Sequence, residues 1–182
     1  MVSMKSSFGE YKIRFSVLKP GLNHFDFLVE HPFFSRFPNS IVKEGRVWIN
    51  LELDKQNSMF ILNFTIKGSL QLPCDRCLEL VDLQVKEHFR QIIRFGKEAY
   101  EETDEVIILS HSEHELDLSH YIYECISLLV PFKVVHGESG DASMQCNKDV
   151  LDALERHSAG QVTTDPRWAE LNKIIGSKKK KF

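Results

Sequence analysis

Met59-Phe60-Ile61-Leu62-Asn63-Phe64-Thr65-Ile66, then Leu72-Pro73-Cys74-Asp75-Arg76-Cys77-Leu78, then the run from Val81 to Phe95 decide the fold of this chain. In the first piece Phe60, Leu62, Phe64 and Ile66 share one face at a period of two, the repeat of a strand with one buried side. In the last, Val81, Leu83, Val85, Phe89, Ile93 and Phe95 take one face, and Asp82, Gln84, Lys86, His88 and Arg90 take the other. The Cys-x-x-Cys between them therefore belongs at the tip of a long hairpin. A hairpin tip is expected to be exposed, and paired thiols there serve chemistry rather than packing.

Working outward, more strands precede the hairpin. Tyr11 to Leu18 alternates, with Ile13, Phe15 and Val17 inward, and stops at Pro20-Gly21. His24 to Val29 is a further strand, ended at His31-Pro32. Phe33 to Ser40 is aromatic but interrupted by proline, which predicts a packed loop or helical turn. Gly45 to Asp54 alternates again: Val47, Ile49, Leu51 and Leu53 face one way, Trp48, Asn50 and Glu52 the other. Residues 1–10 carry little pattern and are read as a loose end.

After the hairpin the character changes. Glu98, Glu101, Glu102, Asp104, Glu105, Glu113, Glu115 and Asp117 form a solvated acidic connection around the short strand Val106–Leu109. Asp117 then caps a helix whose stripe is Leu118, Tyr121, Ile122, Cys125, Ile126 and Leu129, closed before Pro131. Cys125 lies on that stripe and is read as a core thiol. A short helix is predicted from Asn147 to His157. A last one opens on Asp165-Pro166, with Trp168, Leu171, Ile174 and Ile175 as its apolar face. The fold class is therefore α+β: a twisted antiparallel sheet, curling towards a barrel, with two or three helices after it. One domain over 1–176 and a basic disordered tail over 177–182 complete the organisation.

The chain has 182 residues, 42% of them hydrophobic, enough for one good core. No run approaches the ~20 apolar residues that span a bilayer, and the start shows no signal-peptide core, so a cytoplasmic protein without membrane contact is expected. In that compartment Cys74, Cys77, Cys125 and Cys146 are reduced, and Cys-x-x-Cys points to metal or redox chemistry. Two intervening residues let both sulfurs reach one tetrahedral zinc, and His136 and Cys146 are the candidates for the other two ligands, His157 being a weaker alternative. A redox pair would sit where a helix follows, and here a strand follows. Free thiols remain the third reading.

The formal net charge of −3 gives no global attraction to nucleic acid, so any such binding rests on local patches. Arg76, Lys86, Arg90 and Arg94 are the candidate RNA-binding residues, with Lys67 and Lys97 nearby. Lys86, Arg90 and Arg94 share strand parity and would line one face. No nucleophile elbow, dinucleotide fingerprint, phosphate loop or zinc-protease motif occurs, so no enzyme and no small-molecule substrate are expected.

Three segments together resemble one family: Gly68 to Glu79 around Cys-Asp-Arg-Cys-Leu, the helix end Leu128-Leu129-Val130-Pro131-Phe132, and Asp165-Pro166-Arg167-Trp168-Ala169-Glu170-Leu171. From about Gly45 to the final helix the chain is similar to the YceD family, the large ribosomal RNA subunit accumulation proteins. The resemblance implies a bacterial, non-enzymatic ribosome-biogenesis factor supporting accumulation of large-subunit (23S) ribosomal RNA. Its partner would be ribosomal RNA or a precursor of the large subunit. Many relatives carry two further cysteine pairs where this chain has His136 and Cys146. The alternative is a small zinc- or thiol-containing protein-interaction module without RNA contact.

Overall fold

The computed structural model describes residues 4–5, 11–96, 106–110, 112–138 and 145–158, in two compact units, Met1–Cys146 and Asn147–Phe182. The last helix, the lysine tail, Lys97, His111 and the acidic residues 98–105 lie outside the described residues.

In the first unit β1 (Met4–Lys5), β3 (Gly21–Val29), β4 (Glu44–Lys55), β5 (Met59–Pro73), β6 (Leu80–Phe95) and β7 (Val106–Leu109) form one sheet in the order β1-β3-β4-β5-β6-β7. Its four long strands are antiparallel, β4, β5 and β6 joined by short connections and β3 joined to β4 through residues 30–43. Two short parallel edges are added, β1 on β3 and β7 on β6, so Met4–Lys5 is a strand rather than part of a loose end. No barrel closes among the described residues, β1 and β7 remaining as free edges.

The hairpin β5–β6 pairs in one unbroken register, from Met59 opposite Arg94 to Pro73 opposite Leu80. An unslipped register keeps the buried apolar residues on one side, while Ile61 and Ile92 pair on the other. Phe60, Leu62, Phe64, Ile66, Leu70 and Leu72 are buried, as are Val81, Leu83 and Ile93 opposite three of them and Val85 opposite Gly68. Gly68 is required by the close approach of β4: a Cβ there would stand 2.2 Å from the Arg46 carbonyl oxygen and 2.7 Å from Val47 Cα.

The inner face is covered by α2 (Ser119–Leu128), through Ile122, Cys125 and Ile126 and a Tyr121–Phe64 ring contact at 4.9 Å. Its N-cap position is Leu118, one residue later than expected, yet the Asp117 carboxylate still accepts the Ser119 amide at 2.8 Å. The Phe33–Ser40 stretch contributes α1 (His31–Phe34), and Phe37 stacks on Tyr123 at 4.0 Å.

Tyr11 to Leu18 departs from the expected strand. Only β2 (Lys12–Ile13) forms, pairing with β8 (Leu116–Asp117), and Phe15–Val17 is a 3-10 turn. Lys55 Nζ donates to the carbonyls of Phe15 and Leu18, which a continuing strand would have used. The turn sends Phe15 between Phe60 and Phe95 and leaves Val17 exposed. The second unit contains α3 (Lys148–Ser158), with the Asn147 side chain accepting the Asp149 amide.

Candidate metal centre

Six residues, Cys74 to Glu79, connect β5 to β6. The Cys74 amide donates to the Glu79 carbonyl (2.8 Å) and the Leu78 amide to the Cys74 carbonyl (2.9 Å), so the loop folds into a tight knuckle. Leu78 closes it at φ +64, a left-handed conformation rare for a leucine. The Arg76 amide points at Cys74 Sγ, 3.4 Å away.

The knuckle is not exposed at its thiols, contrary to the hairpin-tip expectation. Cys74 is 0% and Cys77 6% exposed. The reason is the segment after α2, which is laid over the loop by two hydrogen bonds to one residue. The Asp75 amide donates to the Val134 carbonyl (2.8 Å), and its carboxylate accepts the Val134 amide (2.7 Å). That clamp sets His136 two residues on, buried beside the cysteines.

His136 Nδ1 lies 3.4 Å from Cys77 Sγ and 3.8 Å from Cys146 Sγ, and Cys146 Sγ lies 3.7 Å from Cys74 Sγ. All four ligand atoms are within 4.8 Å of one another. A tetrahedral ion with bonds of about 2.3 Å to sulfur and about 2.0 Å to nitrogen has edges of about 3.8 Å between sulfurs and about 3.5 Å from sulfur to nitrogen. The shorter separations match those edges. The other ring nitrogen, Nε2, donates to the Leu80 carbonyl at 3.2 Å. A carbonyl only accepts, so this bond fixes the tautomer and leaves the Nδ1 lone pair aimed into the cluster.

Burial works against ionising Cys74, but the amides of Cys77, Arg76 and His136 and the Cys146 thiol direct hydrogen bonds at it and lower its pKa to about 6. The lowered pKa favours the thiolate of Cys74, the form that binds metal. Burial and the neighbouring sulfurs of Cys74 and Cys77 push Cys146 up to about 11, so a bound cation would have to displace that proton.

The profile of one family, described as large ribosomal RNA subunit accumulation protein YceD, matches residues 62–175. The chain belongs to the YceD family. Comparison with curated proteins and with solved structures gives no match. The segment matched to YceD contains all four residues of the cluster, whereas β4 precedes it.

Within this YceD-family chain the structure brings Cys74, Cys77, His136 and Cys146 together as the sequence reading grouped them. Cys125 is buried in the helix stripe, its thiol pushed up to about 11 by burial, and His157 is exposed on α3. The basic residues are spread more widely. Lys86, Arg90 and Arg94 are exposed along the outer side of β6. Arg76 sits instead in the knuckle, paired with Glu138 at 2.9 Å. Sequence reasoning missed the Asp75 clamp and the Leu80 carbonyl. Asp75 lies inside the motif, but its partner Val134 is recognisable only once the chain is folded.

Proposed function

We propose that this chain is a non-enzymatic ribosome-biogenesis factor of the cytoplasm, supporting accumulation of large-subunit ribosomal RNA by binding precursor RNA or an assembling subunit. Zinc held by Cys74, Cys77, His136 and Cys146 serves as a structural clasp. Four protein ligands fill a tetrahedron and leave no position for a reacting water, which separates such a site from a catalytic one. The clasp would join the β5–β6 tip to the segment after α2.

The observation that carries the RNA reading, beside family membership, is the outer row of β6. Lys86, Arg90 and Arg94 stand on one side of the strand, and among the described residues none of them forms an ion pair. Unneutralised cations in a row suit a phosphate backbone. Lysate sedimentation tests the reading: the protein is expected to travel with large-subunit precursors, and a deletion strain to accumulate less large-subunit RNA. Protein confined to the unsedimented fraction, with ribosomal RNA unchanged on deletion, overturns it.

A protein-interaction module without RNA contact is the second reading. It is favoured by Leu78, Leu80 and Phe132, which stand exposed on the segments that build the cluster. Filter binding across a salt series separates the two, since only the first gives RNA affinity that falls steeply with salt.

A further inference from the structure

The outer face of the sheet carries an aromatic among its cations. Trp48 on β4 lies opposite Lys67 on β5, and Lys67 lies opposite Lys86 on β6. Adjacent strands are ~4.8 Å apart, so the three side chains form one row across the sheet. Trp48 is 52% exposed, an uncommon position for so large an apolar ring. The Arg46 guanidinium lies over its ring at 5.0 Å and is itself held by Glu30 at 3.2 Å. Below the row come Asn50, Thr65 and His88, then Glu52, Asn63 and Arg90, all polar, with Glu52 the one acid in these rows.

Two features set this surface apart. Like charges directly opposite on neighbouring strands are destabilising, and Lys67 and Lys86 face each other without an ion pair among the described residues. Some cations elsewhere, Lys12, Arg14, Arg76 and Lys133, are each neutralised by a carboxylate, whereas Lys19, Lys43 and Lys148, like the facing lysines here, have no ion pair among the described residues. The chain is net acidic, so this local excess is not a consequence of its overall composition. Second, phosphates alone would satisfy the lysines but leave unused the half of the indole that stands exposed beyond its Arg46 contact. An unpaired base supplies the π-face and its backbone supplies the charge.

We infer that Trp48, with Arg46, Lys67 and Lys86, forms a binding site for a single-stranded stretch of RNA, one base stacking on the indole and the adjoining phosphates lying on the two lysines. This rests on the RNA-binding reading above and adds the strandedness and the residue that senses it. Base-paired RNA keeps its bases stacked within the helix and cannot use Trp48.

The test uses the full chain and a labelled single-stranded oligoribonucleotide, alone and annealed to its complement. Trp48→Leu is expected to weaken single-strand binding roughly 5- to 150-fold, to leave duplex binding unchanged and to preserve the salt slope, because no charge is removed. Trp48→Phe, which keeps a ring, should retain most of the affinity. Lys67→Gln with Lys86→Gln should lower the single-strand salt slope by about 1.4. Circular dichroism and the urea midpoint confirm that each variant is folded. If the lysine pair weakens binding while Trp48→Leu does not, or if Trp48→Leu harms duplex binding equally, the stacking site is overturned and the RNA reading stands. If the parent chain binds no RNA, the broader reading fails. Displacement by poly-glutamate as effective as by RNA would point to an acidic protein and overturn the site.

Discussion

Asp75 occupies a position between the two cysteines of the cluster and yet makes its bonds elsewhere, to both polar backbone atoms of Val134. Through Val134 it governs where His136 arrives. Outer residues of this kind alter metal affinity about 10- to 100-fold when removed. Asp75→Ala should therefore weaken zinc binding by that factor, read by competition with a chromophoric chelator, and unchanged affinity would show that the Asp75 amide alone suffices. Elemental analysis checks the ligands themselves. The parent should carry one equivalent of zinc, Cys74→Ser none, and Cys125→Ala the full equivalent, because Cys125 lies in the core away from the cluster. A parent free of metal would remove the zinc proposal while leaving the geometry of the four side chains as found.

At the level of elements, two positions set how the sheet and its covering helix are joined. Gly68 allows β4 and β5 to approach where any side chain would meet the Arg46 and Val47 backbone. Backbone cannot rotate aside as a flexible side chain can, so Gly68→Ala should cost about 1–3 kcal/mol in urea unfolding, at the upper end if the strands cannot separate. Asp117 opens α2. Burial raises its pKa, but the amide and hydroxyl of Ser119 and the charge of Lys12 outweigh that and hold it below the usual carboxylate value. A folded-state pKa lowered in this way gives stability that is complete above the unfolded value, about 3.9, and is lost as pH falls through the folded one. Asp117→Ala should then cost about 1 kcal/mol at neutral pH, and the difference from the parent should vanish in acid. A cost that persists there would assign the effect to packing rather than to the carboxylate.

For the whole molecule, the distribution of charge matters more than its sum. A chain of net charge −3 keeps on one side of its sheet a cationic row that forms no ion pair among the described residues, where association with RNA would release counterions. Replacing Lys86, Arg90 and Arg94 together by Gln should reduce the slope of log affinity against log salt for single-stranded RNA by about 2, near 0.7 for each contact. Lys12→Gln is the matching control: Lys12 already pairs with Glu115 at 3.2 Å, so its loss should leave the slope in place. An equal effect from both replacements would mean that the outer row has no special role.

The long hairpin, the strand before it, the amphipathic helix and the four thiol and imidazole candidates were legible before any folding was considered. The elements and the Cys-x-x-Cys pair are local regularities: period two, period 3.6, or two residues between cysteines; His136 and Cys146 join the pair only through the fold. The sequence also placed Cys125 in the core, because its stripe is local too. What it could not show was the burial of Cys74 and Cys77, since that depends on a cover arriving from His136 and Cys146, 59 and 72 residues away along the chain. The end of β2 at Ile13 was likewise decided with Lys55, a distant donor that captured the carbonyl of Phe15 in the turn that follows. Trp48, Lys67 and Lys86 became neighbours only through strand register, and Arg76 left their company when Glu138 paired with it. Periodicity reports which face a side chain takes. Which partners meet on that face, and whether their charges are neutralised, is settled when strands pair and loops close over them.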